Sequence, residues 1–296
     1  MPGVPDYSSF NEVFMKIHCI VGAMRSASRA ARHNNSRIGL VPTMGALHEG
    51  HLSLIRAARN QCNVVVVSIF VNPIQFGPHE DYSKYPRTFE RDCRMLEKEG
   101  VAFVFAPSIE EMYPGGALSY VTVEGMSEKL CGRSRPGHFR GVTTVVSKLF
   151  HIVEPDLAFF GQKDAAQVAI IQRMVRDLNV PVEIVVCPIV REPDGLAMSS
   201  RNAYLDPAQR KSALVLSRTL HRVRQVFGQG ERNVAKLIEA GKQVMAEEPP
   251  VRLDYLEIAD PETLDGVEMV SSNGLVAIAA FVGTTRLIDN ILLAAE

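Results

Sequence analysis

The stretch that decides the fold reads Ile38-Gly39-Leu40-Val41-Pro42-Thr43-Met44-Gly45-Ala46-Leu47-His48-Glu49-Gly50-His51. It opens with a short apolar segment, 38–41, that Pro42 closes, and this pattern predicts a β-strand. A turn containing glycine follows, after which Leu52, Ile55 and Ala58 recur at helical spacing. The stretch therefore predicts a strand, a turn and a helix in succession.

The alternation of strands and helices continues on the C-terminal side. Residues 64–71 contain four successive valines, which is typical of a strand covered on both faces. The other predicted elements of this part are strands at 101–105, 157–160 and 182–187 and helices at 90–98, 142–153 and 165–178. Stacked βαβ units predict an α/β fold with a Rossmann-like, doubly wound parallel sheet.

The pattern changes after about residue 202. Asp206 followed by Pro207 is typical of a helix start, because aspartate caps the first turn and proline fits the first helical position. The elements predicted beyond it are helices at 208–227 and 234–246 and strands at 253–258, 275–281 and 288–293. We predict a Rossmann-like domain over 1–200 and a smaller α+β domain over 201–296 that closes as a lid.

Composition and charge argue against several classes of protein. Of 296 residues 46% are hydrophobic, and 32 Lys+Arg against 33 Asp+Glu leave a formal net charge of −1, unlike a dedicated nucleic-acid binder. No run approaches the ~18 apolar residues of a membrane span, and the first residues lack a secretory-signal pattern. The five scattered cysteines form no C-x-x-C pair, which argues against disulfides or structural zinc. A cytoplasmic protein is expected.

Two histidines, His48 and His51, stand where the first strand passes into a helix. Unpaired backbone N–H groups and the helix dipole make a helix start a site for phosphate. Both imidazoles, neutral or charged, could reach the same phosphate oxygens, and Gly50 leaves room for a nucleotide against the backbone. Helix capping or metal binding is an equal alternative for an H-x-x-H pair taken alone.

The position of the pair favours phosphate. H-x-G-H after the first strand of a doubly wound sheet resembles the signature of the nucleotidyltransferase superfamily, which includes the class I aminoacyl-tRNA synthetases. That superfamily also uses a mobile loop carrying Lys or Arg near the end of the sheet, and residues 198–201 occupy that place. The hydroxyls and the guanidinium of this loop could close over the β- and γ-phosphates. A polar interdomain turn is the alternative.

Six motifs in one order narrow the resemblance. They are PTMGALHEGH at 42–51, VNPIQF at 71–76, YPRT at 85–88, RPGHFRGV at 135–142, FGQKD at 160–164 and MSSRN at 198–202. Together they resemble the pantoate–β-alanine ligase (pantothenate synthetase) family over about residues 38–205, and less distinctively to the C-terminus. The resemblance does not cover roughly the first 15 residues.

The resemblance implies a ligase of pantothenate biosynthesis that takes ATP as a substrate and uses Mg²⁺. The carboxylate of (R)-pantoate would attack the α-phosphorus of ATP, giving pantoyl adenylate and pyrophosphate. The amine of β-alanine would then attack the activated carbonyl, giving pantothenate and AMP. Since neither step needs a protein nucleophile, the protein is expected to position reactants and stabilise charge. A homodimer is also implied.

The resemblance also assigns residues to the nucleotide. Those lining ATP would be Met44, Gly45, Ala46, Leu47, His48, Glu49, Gly50, His51, Gly161, Gln162, Lys163, Asp164, Val190, Met198, Ser199, Ser200 and Arg201. The catalytic residues among them would be His48, His51, Lys163, Ser199, Ser200 and Arg201. His51 matches the histidine usually assigned as proton donor to the leaving group, and Lys163 would neutralise charge on the transferring phosphate. Gly161 and Asp164 would contact the ribose, and Val190 the adenine.

Pantoate would be held by neutral amides. Gln75 and Gln167 match the two glutamines of the family, and an amide offers donors and an acceptor to a hydroxyl-bearing acid. The remaining candidates for this part of the site are Pro42, Thr43, Arg135, His138 and Arg140. A structural salt bridge is equally open for Arg140.

Asp92 is the candidate ligand for Mg²⁺. Family members often carry neighbouring acids after the Tyr-Pro-Arg-Thr motif, but Arg91 stands where an acid is expected. Because Mg²⁺ prefers few carboxylates plus phosphates, the metal is expected to arrive with ATP. A second departure is Gln162 in place of a common acid, which should leave Lys163 more available.

Two other functions stay open on the residues alone. A nucleotidyltransferase acting on another acid, or a remnant of a tRNA synthetase, would share the H-x-G-H motif, although the near-zero net charge counts against tRNA. A nucleotide-sensing or scaffold protein would not be expected to keep His48, His51, Lys163 and the 199–201 segment together. The expected partners are small-molecule substrates, with no nucleic acid and no membrane.

Overall fold

A computed structural model describes residues 15–78 and 80–294 of the chain. The N-terminal residues 1–14, where the sequence shows no secretory-signal pattern, lie outside the described residues. The strands of the first part are β1 Lys16–His18, β2 Ile38–Thr43, β3 Val64–Ile69, β4 Phe103–Phe105, β5 Leu157–Gly161 and β6 Glu183–Cys187. Its α-helices are α1 Val21–His33, α2 Glu49–Arg59, α3 Phe89–Lys98, α4 Ile109–Met112, α5 Cys131–Ser134, α6 His138–Val153 and α7 Ala165–Asp177. Short 3₁₀ helices cover Pro73–Gln75, Met126–Glu128, Gln162–Asp164 and Ser200–Tyr204.

The described strands β1 to β6 form one parallel sheet in the order β1-β4-β3-β2-β5-β6. From β2 the chain moves outward through β3 and β4, and it returns to β5 on the other side of β2. The predicted α/β, doubly wound, Rossmann-like fold is confirmed. In such sheets ligands bind outside the carboxyl ends of the strands where the order reverses, which here are β2 and β5.

The centre of the sheet is covered on both faces. Ile38, Leu40 and Val41 of β2 are fully buried, as the continuous apolar segment predicts. Helix α6 packs so closely against the Pro73–Gln75 turn that a Cβ on Gly141 would lie 2.5 Å from the carbonyl oxygen of Ile74. Only glycine allows this contact, and it determines where the Pro73–Gln75 turn lies relative to α6.

The C-terminal part is a separate α+β arrangement. Its elements are α8 Pro207–Ala213, α9 Val215–Gly228, α10 Val234–Ala246, β7 Val251–Ala259, β8 Asn273–Val282 and β9 Thr285–Ala294. The described strands β7, β8 and β9 form an antiparallel sheet in that order. The smaller α+β unit predicted after residue 200 is confirmed, whereas the division into domains at that residue stays a prediction.

Several predicted helix bounds are wrong. The single helix predicted at 208–227 is interrupted at Leu214, whose N–H donates to the Lys211 carbonyl, three residues back, at 3.3 Å. Helix α6 begins at His138, four residues before the predicted start, because Gly137 takes a φ of +83° and forms the N-cap. Strand β1 and helix α1 were not predicted. None of the described helices is long and apolar enough to cross a membrane.

Candidate active site

A cavity of about 1000 Å³ opens at the carboxyl ends of β2 and β5. Predicted residues that line it are Pro42, Thr43, Met44, His48, Gly50, His51, Gln75, Arg135, Gly161, Lys163, Asp164, Gln167, Val190, Met198, Ser199, Ser200 and Arg201. Predicted residues that do not line it are Gly45, Ala46, Leu47, Glu49, Gln162 and Asp92. Ligand pockets span about 300–1,000 Å³, so this volume accommodates more than one small substrate.

The turn between β2 and α2 is held by Asp92 of α3. The buried carboxylate accepts the N–H groups of Ala46 and Leu47 at 2.9 and 3.0 Å, and the Thr88 hydroxyl at 3.0 Å. Gly45 and Ala46 have φ angles of +78° and +51°, a left-handed conformation that alanine disfavours. Asp92 therefore stabilises the backbone conformation of this turn, in which Ala46 and Leu47 do not line the cavity.

These contacts do not fit a metal ligand. Both oxygens of Asp92 already accept hydrogen bonds from the protein, and the side chain is fully buried. Within the described ranges 15–78 and 80–294, no three His, Cys, Asp or Glu side chains converge to hold a metal ion. The structure therefore gives no support to Asp92 as a Mg²⁺ ligand. The reason is the burial of its carboxylate and not the positive charge of the neighbouring Arg91.

Backbone contacts define the tautomers of His48 and His51. The Gly50 N–H donates to Nδ1 of His48 at 3.1 Å, and the His48 N–H donates to Nδ1 of His51 at 3.3 Å. A neutral imidazole whose Nδ1 accepts a hydrogen bond carries its proton on Nε2. A Cβ on Gly50 would lie 2.9 Å from the His48 ring, so this glycine makes room for the imidazole. Both histidines therefore offer Nε2–H donors.

The surroundings keep both imidazoles neutral. Burial, together with the Lys163 ammonium, lowers the pKa of His48 to about 4. Burial, followed by His48 and Lys163, lowers the pKa of His51 to about 3. The proton-donor role predicted for His51 requires an imidazolium, which this environment disfavours. A neutral Nε2–H is instead suited to donating a hydrogen bond to a phosphate oxygen.

We expect the free energy of unfolding to fall as the pH drops below the ordinary histidine pKa of 6.5. Burial lowers the pKa of His138 to about 3, so His48, His51 and His138 all bind protons more readily in the unfolded chain. Each should contribute a slope that rises from about 0.7 kcal/mol per pH unit at pH 6.5 towards a limit of about 1.4, and stability is lost as the pH falls. Urea unfolding at a series of pH values measures the slope.

The control for this prediction is His138→Gln, which removes one titrating ring. The variant should reduce the slope between pH 6.5 and 5 by the contribution of one group, at most about 1.4 kcal/mol per pH unit. Carboxylates titrate mainly below this window, at about pH 4. If the slope is unchanged in His138→Gln, then His138 does not take up a proton on unfolding, and the prediction is wrong.

Among the predicted cationic residues that line the cavity, Lys163 is the one that lacks a short ion pair of the kind that the arginines form with other described residues. It lies in the Gln162–Asp164 turn that follows β5, and its nearest carboxylate, Asp164, is 3.8 Å away. Its side chain is 21% exposed. Its positive charge lowers the pKa values of both histidines, which line the same cavity. The three groups can therefore act on the same anion.

Arg201, by contrast, is already paired. Its Nε and Nη2 donate to the two carboxylate oxygens of Asp81, each at 2.9 Å. The Ser200 hydroxyl donates to the Ala46 carbonyl at 3.2 Å, and Ser199 Oγ accepts the Arg201 N–H at 3.3 Å. Asp81 takes up two of the five guanidinium N–H groups of Arg201, so a triphosphate can use the others while the ion pair stays in place. Sequence reasoning missed Asp81, because nothing in the local pattern signals an ion pair across 120 residues.

Gln75 is oriented by Asn72. The Asn72 amide donates to Gln75 Oε1 and to the Gly141 carbonyl, each at 3.0 Å, and the Tyr113 hydroxyl donates to Asn72 Oδ1 at 2.8 Å. Nε2 of Gln75 lies 3.2 Å from the Met44 sulfur. Asn72 lies within one of the six sequence motifs, but the motif by itself does not indicate a role for it. Gln167 lines the same cavity from α7.

Arg135 also has protein partners. Its Nε donates to Glu80 at 2.8 Å, and its Nη1 lies 3.0 Å from Nε2 of His138. His138 Nδ1 contacts the Gln75 carbonyl at 2.9 Å, so its proton sits on Nδ1. Arg135 and His138 thus support the backbone of Gln75. Arg140 lies outside the cavity lining, with its guanidinium 4.6 Å from the Tyr120 ring centre.

Comparison with known proteins identifies relatives over almost the whole chain. The family model described as pantoate-beta-alanine ligase matches residues 16–292. A pantothenate synthetase of Koribacter versatilis is 60% identical over 281 residues, covering 95% of this chain and 97% of the relative. One from Acidobacterium capsulatum is 65% identical over 256 residues, covering 86% of each.

Solved structures give the same result. A pantothenate synthetase from Thermus thermophilus has a TM-score of 0.89 at 48% identity and covers 94% of this chain and 99% of its own. A pantoate-beta-alanine ligase from Francisella tularensis has a TM-score of 0.78 at 34% identity and covers 94% and 98%. The Francisella protein was solved in complex with beta-gamma ATP and β-alanine.

Proposed function

This chain belongs to the pantoate–β-alanine ligase family of enzymes, and from that premise we propose the following reaction. The (R)-pantoate carboxylate attacks the α-phosphorus of ATP, and the α–β phosphoanhydride bond breaks. Pantoyl adenylate forms, and pyrophosphate departs. The amine of β-alanine then attacks the activated carbonyl and loses a proton, and AMP departs as the amide of pantothenate forms.

One observation carries this proposal. Two imidazoles, an ammonium, a serine–arginine segment and two glutamines line a single cavity at the carboxyl ends of β2 and β5. The cationic and N–H groups suit a triphosphate, and the neutral amides suit a hydroxyl-bearing acid. The cavity therefore supports the joining of an acid to the α-phosphorus of ATP.

The phosphate groups would be held by charge and by fixed donors. Lys163 would neutralise the charge that grows on the transferring phosphate, with His48 and His51 donating from Nε2. Ser199, Ser200 and Arg201 would hold the pyrophosphate end, Arg201 through the N–H groups that Asp81 does not take up. Since these donors are fixed by protein contacts, little reorganisation is needed during the reaction.

The organic substrates would be placed by positioning contacts. Gln75 and Gln167 would hold pantoate beside Pro42, Thr43 and Arg135. Gly161 and Asp164 would contact the ribose, and the Val190 backbone the adenine. The C-terminal α+β unit would close as a lid and exclude water, which otherwise hydrolyses an acyl adenylate.

Other parts of the prediction rest on the family resemblance. We propose that Mg²⁺ enters with the phosphates of ATP, since Asp92 is committed to protein donors. A homodimer and a cytoplasmic location stay predictions of the sequence. The nucleotide-sensing alternative is disfavoured by the family membership.

The test separates the two half-reactions. The protein is incubated with ATP, Mg²⁺ and (R)-pantoate, and pyrophosphate release is measured; β-alanine is then added, and AMP and pantothenate are measured. We expect pyrophosphate in the first tube and both products in the second. A parallel series with other carboxylic acids in a pyrophosphate-exchange assay tests the acid. No pyrophosphate with pantoate, or faster exchange with another acid, would overturn the proposal.

A further inference from the structure

Strand β9 of the C-terminal sheet reaches the turn that carries Lys163. The Asn290 amide nitrogen donates to the carbonyl oxygens of Gln162 and Lys163, each at 2.9 Å. Its Oδ1 accepts the side-chain N–H of Gln162 at 3.1 Å. Asn290 is 3% exposed, so a nearly buried amide binds two successive carbonyls of this turn.

The strand itself is anchored one residue earlier. Asp289 forms a two-point ion pair with Arg191, with N–O distances of 2.7 and 2.9 Å. Its carboxylate also accepts the Asn290 N–H at 2.7 Å. Arg191 directly follows Val190, which lines the cavity. The position of Asn290 is therefore determined by contacts on both sides.

The Gln162–Asp164 turn has little local support of its own. It spans three residues, and no side chain caps its N-terminus. Without Asn290, two partly buried carbonyls would lose this donor, and leaving a desolvated polar group without a partner is costly. The backbone at Lys163 would then shift, and small misplacement of a catalytic group has large kinetic effects.

From this geometry we infer that Asn290 is a positioning residue of the reaction: it holds the Lys163 backbone and thereby aims the ammonium at the transferring phosphate. The inference rests on the proposed function. It also gives the C-terminal unit, whose Asn290 lines the cavity, a role in the first half-reaction. Gln162, which departs from the family pattern, completes the same contact rather than lining the cavity.

A double-mutant cycle tests the inference. Asn290→Ala, Lys163→Ala and the double variant are compared in radiolabelled pyrophosphate exchange with pantoate. We expect Asn290→Ala alone to lower kcat about 30-fold with the KM for ATP little changed, because alignment is lost. In the Lys163→Ala background the same change should cost less than about 3-fold, because the residue it positions is gone.

Matched variants separate positioning from folding. Asn290→Asp keeps the side-chain size but removes the donors, so it should show the same dependence on Lys163. Asn233→Ala removes a helix cap in the same part of the chain, where Asn233 accepts the Lys236 N–H at 3.1 Å, and should lower thermal stability with kcat unchanged.

Two results would overturn the inference. Equal losses for the Asn290 variants in both backgrounds would show a merely structural effect, and an unchanged kcat would show that the contact is not needed. If wild-type protein releases no pyrophosphate, the proposed function itself fails, which is a different outcome from either of these.

Discussion

Replacing Lys163 by alanine should lower the rate of pyrophosphate release about 1,000-fold, the scale seen when one fixed electrostatic contact is removed from an active site. Lys163 lines the same cavity as both imidazoles, and 3.8 Å separates its ammonium from the Asp164 carboxylate. The free energy of unfolding should change by less than about 0.5 kcal/mol, because the side chain has no strong partner to lose. Steady-state and single-turnover assays of pyrophosphate release, with urea unfolding, measure both quantities.

A second readout follows from electrostatics. Because Lys163 lowers the pKa values of His48 and His51, Lys163→Ala should raise both, which NMR titration of the ring protons detects. The control is Lys129→Ala, since Lys129 has comparable exposure and pairs with Asp265 at 2.7 Å outside the cavity lining. It should leave the rate unchanged. Near-normal turnover in Lys163→Ala would show that the phosphate assignment is wrong.

Asp92→Asn should produce the largest loss of stability, about 3 kcal/mol of unfolding free energy and about 5 °C in Tm. An asparagine keeps one acceptor, so one of the N–H groups of Ala46 and Leu47 would face an amide donor in a fully buried site. The left-handed conformation at Gly45 and Ala46 would lose its support. Thermal and urea unfolding give these values directly.

The same variant distinguishes a structural carboxylate from a metal ligand. If Asp92 stabilises the turn, the Mg²⁺ concentration for half-maximal activity should stay unchanged while the KM for ATP rises, since the turn precedes His48. Glu90→Gln, an exposed acid on the same helix, should alter neither stability nor activity. A stable Asp92→Asn protein with a greatly increased Mg²⁺ requirement would instead establish Asp92 as a ligand.

The sequence predicted the architecture well because both periodicities are strong in this chain. The four valines of β3 and the apolar start of β2 mark strands that are buried on both faces. It missed β1 and α1, whose pattern is less regular: Ile17 of β1 and Ile20, which directly precedes α1, are both exposed. The interruption at Leu214 depends on one backbone hydrogen bond, which periodicity does not indicate.

The candidate site was predictable where a motif carries its own chemistry. His48, His51 and Lys163 stand in motifs that follow β2 and β5, and the carboxyl ends of strands converge at one edge of a parallel sheet. Residues whose role is to hold another group had no such signal. Asn290 lies 127 residues from the carbonyl of Lys163, and Asp81 lies 120 residues from Arg201.

By itself, the amino-acid sequence determined the order of strands and helices and the residues capable of binding a triphosphate and a polar acid, because local periodicity and side-chain chemistry are properties of short segments. The tertiary structure alone decided that Asp92 supports a strained turn, that Arg201 rests on Asp81, and that both histidines are neutral donors. Burial, tautomer and long-range pairing depend on which distant segments meet, and no short segment contains that information.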